Sequence, residues 1–108
     1  MISVNVFKLN DKYIKITCFG HAEYDDNGKD IVCAAVSALV TNCFNSIEKY
    51  SNDDFVSAET HEDGTTELIL KENISHDSEL LIDSMIYGLK GIQKQYGKKY
   101  LKISVKEV

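Results

Sequence analysis

Cys33 and His21 are the two residues of this chain whose types and spacing could carry out covalent chemistry. Cys33 lies near the start of a predicted helix, three residues after Asp30, a residue type that caps helices. Free N–H groups and the positive end of the helix dipole stabilise a thiolate there, which favours a reactive cysteine. A polar loop with Gly28 near its end separates the two residues. The chain can therefore fold back and bring the imidazole to the sulfur, where it could take or return a proton.

Two more side chains belong to this candidate site, and each has a structural alternative. Asp30 either only caps the helix, a contact worth about 1 kcal/mol, or also orients the imidazole as the third member of a triad. Ser37 lies one helical turn after Cys33 on the same face. It either lines a pocket or bonds back to a helix carbonyl. Cys33 itself could be a core residue, since its neighbours are apolar.

The other two cysteines, Cys18 and Cys43, are predicted to be core residues, one inside a strand and one deep in a helix. Geometry argues against a zinc site, because Cys33 and Cys43 would lie about 15 Å apart along one helix. Zinc–sulfur bonds are only about 2.3 Å long, so one ion could not bind both. We therefore predict no metal. Redox sensing stays an alternative, although no CxxC spacing supplies a resolving partner.

Length and composition predict one domain over residues 1–108, with 44% apolar residues to build an ordinary core. No stretch is expected to cross a bilayer, and the N-terminus lacks the pattern of a signal peptide. The three cysteines are therefore expected to be reduced and the protein cytoplasmic. The net charge of −5 argues against direct nucleic-acid binding. Lys90, Lys94 and Lys98 share helical spacing and predict a solvated face, with an RNA-facing patch as the alternative.

Seven predicted elements position the site. Two β-rich runs joined at residues 10–11 predict a hairpin, and residues 61–64 form the turn of a second one. The alanine-rich run 30–50 is apolar on most sides and predicts a largely buried helix. A second helix begins near residues 75–77 and ends at Gly97. The order ββαββαβ predicts an α+β fold, a single antiparallel or mixed sheet packed with two helices.

The residues around Cys33 resemble a motif of the ribosomal-processing cysteine protease family, Prp. That motif consists of Gly20-His21-Ala22, a polar loop, and then Gly28-x-Asp30-Ile31-Val32-Cys33-Ala34-x-Val36-Ser37. The Gly-His pair together with the Asp-Ile-Val-Cys-Ala run makes the resemblance specific, and in length and element order it extends over the whole chain.

The resemblance implies a cysteine endopeptidase that removes the N-terminal extension of a large-subunit ribosomal protein precursor of the bL27 type. Cys33 would be the nucleophile and His21 the general base and later the acid, with Gly20, Asp30 and Ser37 in support. The family acts without metal or organic cofactor and generally as a homodimer, and no membrane is involved. The alternative is a non-enzymatic, ribosome-associated dimeric binding module, for which the lysine stripe would be the supporting feature.

The polar loop after His21 is predicted to open and close over a bound peptide. Its members are Glu23, Tyr24, Asp25, Asp26 and Gly28. We call Glu23, Asp25 and Asp26 the loop carboxylates. Together with the net negative charge, they would steer a basic ribosomal protein into the site.

Overall fold

The computed structural model describes residues 1–26 and 30–108, and its elements follow the predicted order. They are β1 (Ile2–Leu9), β2 (Lys12–Phe19), α1 (Ile31–Tyr50), β3 (Phe55–Thr60), β4 (Thr66–Leu70), α2 (His76–Tyr96) and β5 (Leu101–Glu107). The prediction of an α+β fold with the order ββαββαβ is confirmed.

The five strands form one mixed sheet in the order β3-β4-β2-β1-β5. β1 and β5 pair in parallel, whereas the other neighbours are antiparallel. β2 is therefore the central strand, and Cys18 near its end pairs with Val4 on one side and Thr66 on the other. The chain leaves the middle of the sheet at this point, and exposed His21 follows at the start of the loop.

One face of the sheet packs against both helices. Burial alternates along β1, where Ile2, Val4 and Val6 are buried and the residues between them are only half-buried. This is the period of two that a strand with one covered face requires. The buried residues of α1 and α2 join the same hydrophobic cluster, so the helices form a single layer on the sheet.

The prediction that α1 is largely buried is wrong. Only one stripe of the helix is buried, and it consists of Val32, Val36, Val40, Cys43 and Ile47. Composition overstates burial because the sheet covers just one side of the helix, and Ala38 and Ser37 remain exposed. By length and composition alone, α1 would be long and apolar enough to cross a membrane, which the sequence-based expectation did not allow for. Core helices of globular proteins meet the same criterion.

Turn and cap residues fix the remaining boundaries. Asn10 and Asp11 have φ of 50° and 66°, and a two-residue hairpin turn of type I′ requires a positive φ at both positions. Ser75 caps α2 by accepting the Ser78 N–H. The helix ends at Gly97, so Lys98 lies beyond it and does not continue a helical stripe with Lys90 and Lys94.

Candidate active site

Asp30 fixes the start of α1 with both oxygens of its carboxylate. Oδ1 accepts the Cys33 N–H at 2.9 Å, and Oδ2 accepts the Tyr24 N–H at 3.0 Å. Partial desolvation would raise the pKa of Asp30, but these N–H donors outweigh it and hold the pKa below its ordinary value of 3.8. Asp30 is therefore ionised at neutral pH and joins the loop to the helix start. Among the described residues, Asp30 accepts from the backbone N–H groups of Cys33 in the helix and Tyr24 in the loop, and neither hydrogen bond involves the His21 ring.

Cys33 is the third residue of α1 and is half-buried. Its sulfur accepts a hydrogen bond from the backbone N–H of Ala22 at 3.1 Å. Ala22 is only 1% exposed, so this donor is held rigidly by the core. The sulfur at the helix start is therefore aligned with a buried backbone N–H donor. The sequence alone gives no sign of this donor, because a backbone N–H has no residue signature.

His21 is exposed and directly precedes Ala22. It lines the same cleft as Cys33 and Ser37, a cavity of about 210 Å³. Within residues 1–26 and 30–108, the hydrogen bond that the Cys33 sulfur accepts comes from Ala22 and not from the imidazole. Catalytic hydrogen bonds commonly tighten only when substrate is bound. The arrangement therefore places a base and a thiol in one cleft without pairing them.

Gly20 determines how the chain leaves β2. Its φ is +100°, and a Cβ built on it would lie 2.4 Å from the carbonyl oxygen of Met1. Both observations require glycine, because residues with a Cβ rarely adopt this φ and no Cβ fits against a backbone oxygen at that distance. Gly20 therefore lets His21 emerge beside the first residues of β1.

The cleft has an apolar side and an acidic side. On the first side, its floor is formed by the apolar residues Ile2, Cys18, Val36 and Val40. A second cavity of about 660 Å³ opens on the loop side and is lined by Glu23, Asp25 and Asp30. His21, Cys33 and Ser37 border both cavities. The arrangement can hold an apolar side chain on one side of the thiol and a basic one on the other.

The predicted loop residues differ in their surroundings. Glu23 and Asp25 face the larger cavity, and Asp26 is exposed elsewhere on the loop. Tyr24 packs its ring edge-on against Tyr96 at the end of α2 and Tyr100 in the connection to β5, and it is not among the described residues that line the two cavities. Gly28 lies outside the described residues.

The two remaining thiols differ from Cys33. Cys43 is buried in the core, which raises its pKa to about 12. Cys18 was predicted to lie in the core but is half-buried at the cleft floor. Burial, and secondly the electrostatic interaction with Cys33, raise the pKa of Cys18. In the part of the chain that the structure describes, no group of three or more His, Cys, Asp or Glu residues is arranged to hold a metal ion.

Comparison with known proteins adds independent findings. The family model of cysteine protease Prp matches residues 1–102. The ribosomal processing cysteine protease Prp of Bacillus subtilis (strain 168) is 27% identical over 101 residues, which cover 89% of this chain and 90% of that protein.

Two solved structures have the same fold. One is the ribosomal processing protease Prp from S. aureus with a covalently linked product peptide, at a TM-score of 0.87 and 23% identity, covering 97% of this chain and 99% of that one. The other is the same protease with a substrate peptide, at a TM-score of 0.82 and 20% identity, with the same coverage.

Proposed function

The chain belongs to the ribosomal processing cysteine protease family Prp, and we propose that it removes the N-terminal extension of a large-subunit ribosomal protein precursor of the bL27 type. One observation carries the proposal: the Cys33 sulfur, at a helix start, accepts the Ala22 N–H in a cleft that His21 also lines. Since the family is one of proteases, the alternative of a non-enzymatic binding module is set aside.

In the proposed mechanism, His21 takes the thiol proton of Cys33, and the resulting thiolate attacks the carbonyl carbon of the scissile peptide bond. A carbon–sulfur bond forms, and the carbonyl oxygen becomes an oxyanion for which N–H groups at the start of α1 are candidate donors. The carbon–nitrogen bond then breaks, and protonated His21 gives its proton to the leaving amine. This step releases the shortened ribosomal protein and leaves the extension bound to Cys33 as a thioester.

Water completes the reaction. His21, now neutral, takes a proton from a water molecule that attacks the thioester carbon. The carbon–sulfur bond then breaks, which releases the extension with a free carboxylate and returns Cys33 to its starting state. Asp30 supports this chemistry by fixing the helix start and the loop to each other. Ser37 is exposed one turn after Cys33 and borders both cavities, which supports a role in contacting the bound peptide. None of these steps needs a metal or an organic cofactor.

The substrate is proposed to be a basic protein with an apolar segment at the bond that is cleaved. The apolar cleft floor and the loop carboxylates Glu23 and Asp25 at the larger cavity support this assignment. We further propose that residues 1–108 work as one protease domain, as a homodimer in the cytoplasm, without binding nucleic acid directly. The free state of all three cysteines supports the cytoplasmic location. The net charge of −5 supports the absence of direct nucleic-acid binding.

Incubation with the organism's own extended ribosomal-protein precursor tests this function. Intact mass should report loss of the N-terminal extension, and the same protein made without its extension should keep its mass. A precursor shown to carry the extension that stays intact in the presence of fully reduced enzyme would refute the proposed substrate.

A further inference from the structure

We propose that Tyr24 is a positioning residue for the Cys33 thiol, held in place by the end of α2 and its connection to β5. The Tyr24 ring makes edge-to-face contacts with Tyr96, at 5.4 Å between ring centroids, and with Tyr100, at 5.1 Å. Both contacts have the geometry that aromatic pairs prefer. The inference rests on the proposed function, since it assigns Tyr24 a part in bringing that site together.

Two backbone hydrogen bonds connect the segment that contains Tyr24 to Cys33 and its helix. Ala22, which donates its N–H to Cys33, lies two residues before Tyr24, and the backbone turns between them at Glu23 with a φ of 60°. The Tyr24 N–H in turn donates to Asp30, the cap of the helix that carries Cys33. A short segment is thus held at both ends, and His21 is the residue immediately before it.

The tyrosines that receive the Tyr24 ring are themselves fixed to the rest of the fold. The Tyr100 carbonyl accepts the Ile2 N–H at 2.9 Å, and Ile2 follows the Met1 carbonyl that lies against Gly20. The Gln93 side chain of α2 donates to the Leu101 carbonyl at 2.8 Å, which closes the connection from the other side. Tyr24 therefore packs on residues that are hydrogen-bonded to the start of β1, and β1 begins beside Gly20, the residue before His21.

A direct role of Tyr24 in binding substrate is not what this geometry favours. The described linings of the two cavities at Cys33 include neither Tyr24 nor its two aromatic partners. Tyr24 is also 39% exposed, so the ring contributes less to the core than a buried tyrosine would. The ring contacts restrain the segment that donates an N–H to the thiol and follows His21, which lines the same cleft.

The experiment measures two rates for the full-length protein. One is the alkylation rate of Cys33 by iodoacetamide, read by mass spectrometry, which requires no substrate binding. The other is cleavage of the extended precursor, with kcat and KM determined separately. The variants are Tyr24→Ala, Tyr24→Phe, Tyr100→Leu and, as a matched control, Tyr87→Ala, which removes an 82% exposed ring from α2 away from the site.

Tyr24→Ala should lower kcat and the alkylation rate roughly tenfold each, because small displacements of a reacting group reduce its rate strongly, and KM should change little. Tyr100→Leu should act in the same direction, and the double variant should be no worse than Tyr24→Ala alone. Tyr24→Phe keeps the ring and should recover most of both rates, whereas Tyr87→Ala should leave them unchanged.

An unchanged alkylation rate in Tyr24→Ala would overturn the proposal, whether KM rises or only thermal stability falls. If the native protein fails to cleave the precursor but Tyr24→Ala still slows alkylation of Cys33, the positioning role stands and the proposed substrate is wrong. If cleavage occurs and both rates are insensitive to Tyr24, the protease function stands and the positioning role is wrong.

Discussion

Replacing Gly20 with alanine is expected to destabilise the protein through two effects that the structure separates. The first is conformational, because a residue with a Cβ would have to adopt a φ of +100°. The second is steric, because that Cβ would lie 2.4 Å from the Met1 carbonyl oxygen. Gly64 offers a control for the first effect alone, since its φ is +90° and a Cβ added there would meet no atom within 4 Å.

The expected losses of stability follow from the backbone angle at each glycine and from the space available to the added Cβ. Gly64→Ala should lower the free energy of unfolding by about 1–2 kcal/mol, the usual cost of a left-handed backbone for an L-residue. Gly20→Ala includes that cost and must also move backbone atoms by at least 0.6 Å to reach a 3.0 Å contact from 2.4 Å. Overpacking of this kind adds about 1–3 kcal/mol, for a total of about 2–5 kcal/mol. A domain of this size should then lose roughly 10–20 °C in Tm, against roughly 5–8 °C for Gly64→Ala.

Thermal unfolding followed by circular dichroism, with urea titrations to obtain free energies, measures both variants. The stability loss of Gly20→Ala should exceed that of Gly64→Ala by at least about 1 kcal/mol, as the added overlap requires. At temperatures where Gly20→Ala remains folded, alkylation of Cys33 should also slow, because His21 and Ala22 follow the displaced residue. Equal losses in the two variants would refute the argument that contact with Met1 makes Gly20 necessary.

Further predictions concern the cap, the thiols and the loop. Asp30→Ala should lower the free energy of unfolding by about 1–2 kcal/mol at pH 7. Because the pKa of Asp30 is lower in the folded state, this contribution is complete well above pH 3.8 and is lost as pH falls through the folded pKa. Urea titrations should therefore show a smaller difference from the native protein at pH 3 than at pH 7. Under native conditions iodoacetamide should modify Cys33 first, Cys18 more slowly and Cys43 only on unfolding, since burial raises the pKa of the last two; His21→Ala should slow the Cys33 reaction, and an unchanged rate would mean that the imidazole does not activate the thiol. Replacing the loop carboxylates with amides should lower kcat/KM on the basic precursor and weaken its dependence on salt; no change in either quantity would exclude steering.

Local patterns in the sequence predict most of the fold. Turn and cap residues act on backbone groups only a few positions away, so the sequence alone predicts their effect. Examples are the turn residues Asn10 and Asp11 and the caps Asp30 and Ser75. Strand order is different, because pairing between β1 and β5 joins residues almost a whole chain apart. The burial of α1 was overestimated for a related reason, since counting apolar residues does not show which side of a helix a sheet will cover.

The candidate site divides in the same way. The placement of Cys33 at a helix start could be predicted, because it needs only Asp30 three residues earlier. The Ala22 N–H could not, since any residue offers the same donor and only the fold aims it at the sulfur. The ring contacts of Tyr24 join the loop to a segment more than 70 residues later, beyond what spacing in a sequence can reveal.

The central claim is that Cys33, of the three thiols, is the nucleophile. Its most direct test is kcat/KM on the extended precursor for Cys33→Ala, Cys18→Ala and Cys43→Ala, each checked for folding by its thermal transition. Cys33→Ala should keep the fold and lose cleavage entirely, whereas Cys43→Ala, which alters only the core, should still remove the extension. Cleavage that survives in Cys33→Ala, or that is lost only when another cysteine is replaced, would contradict this account.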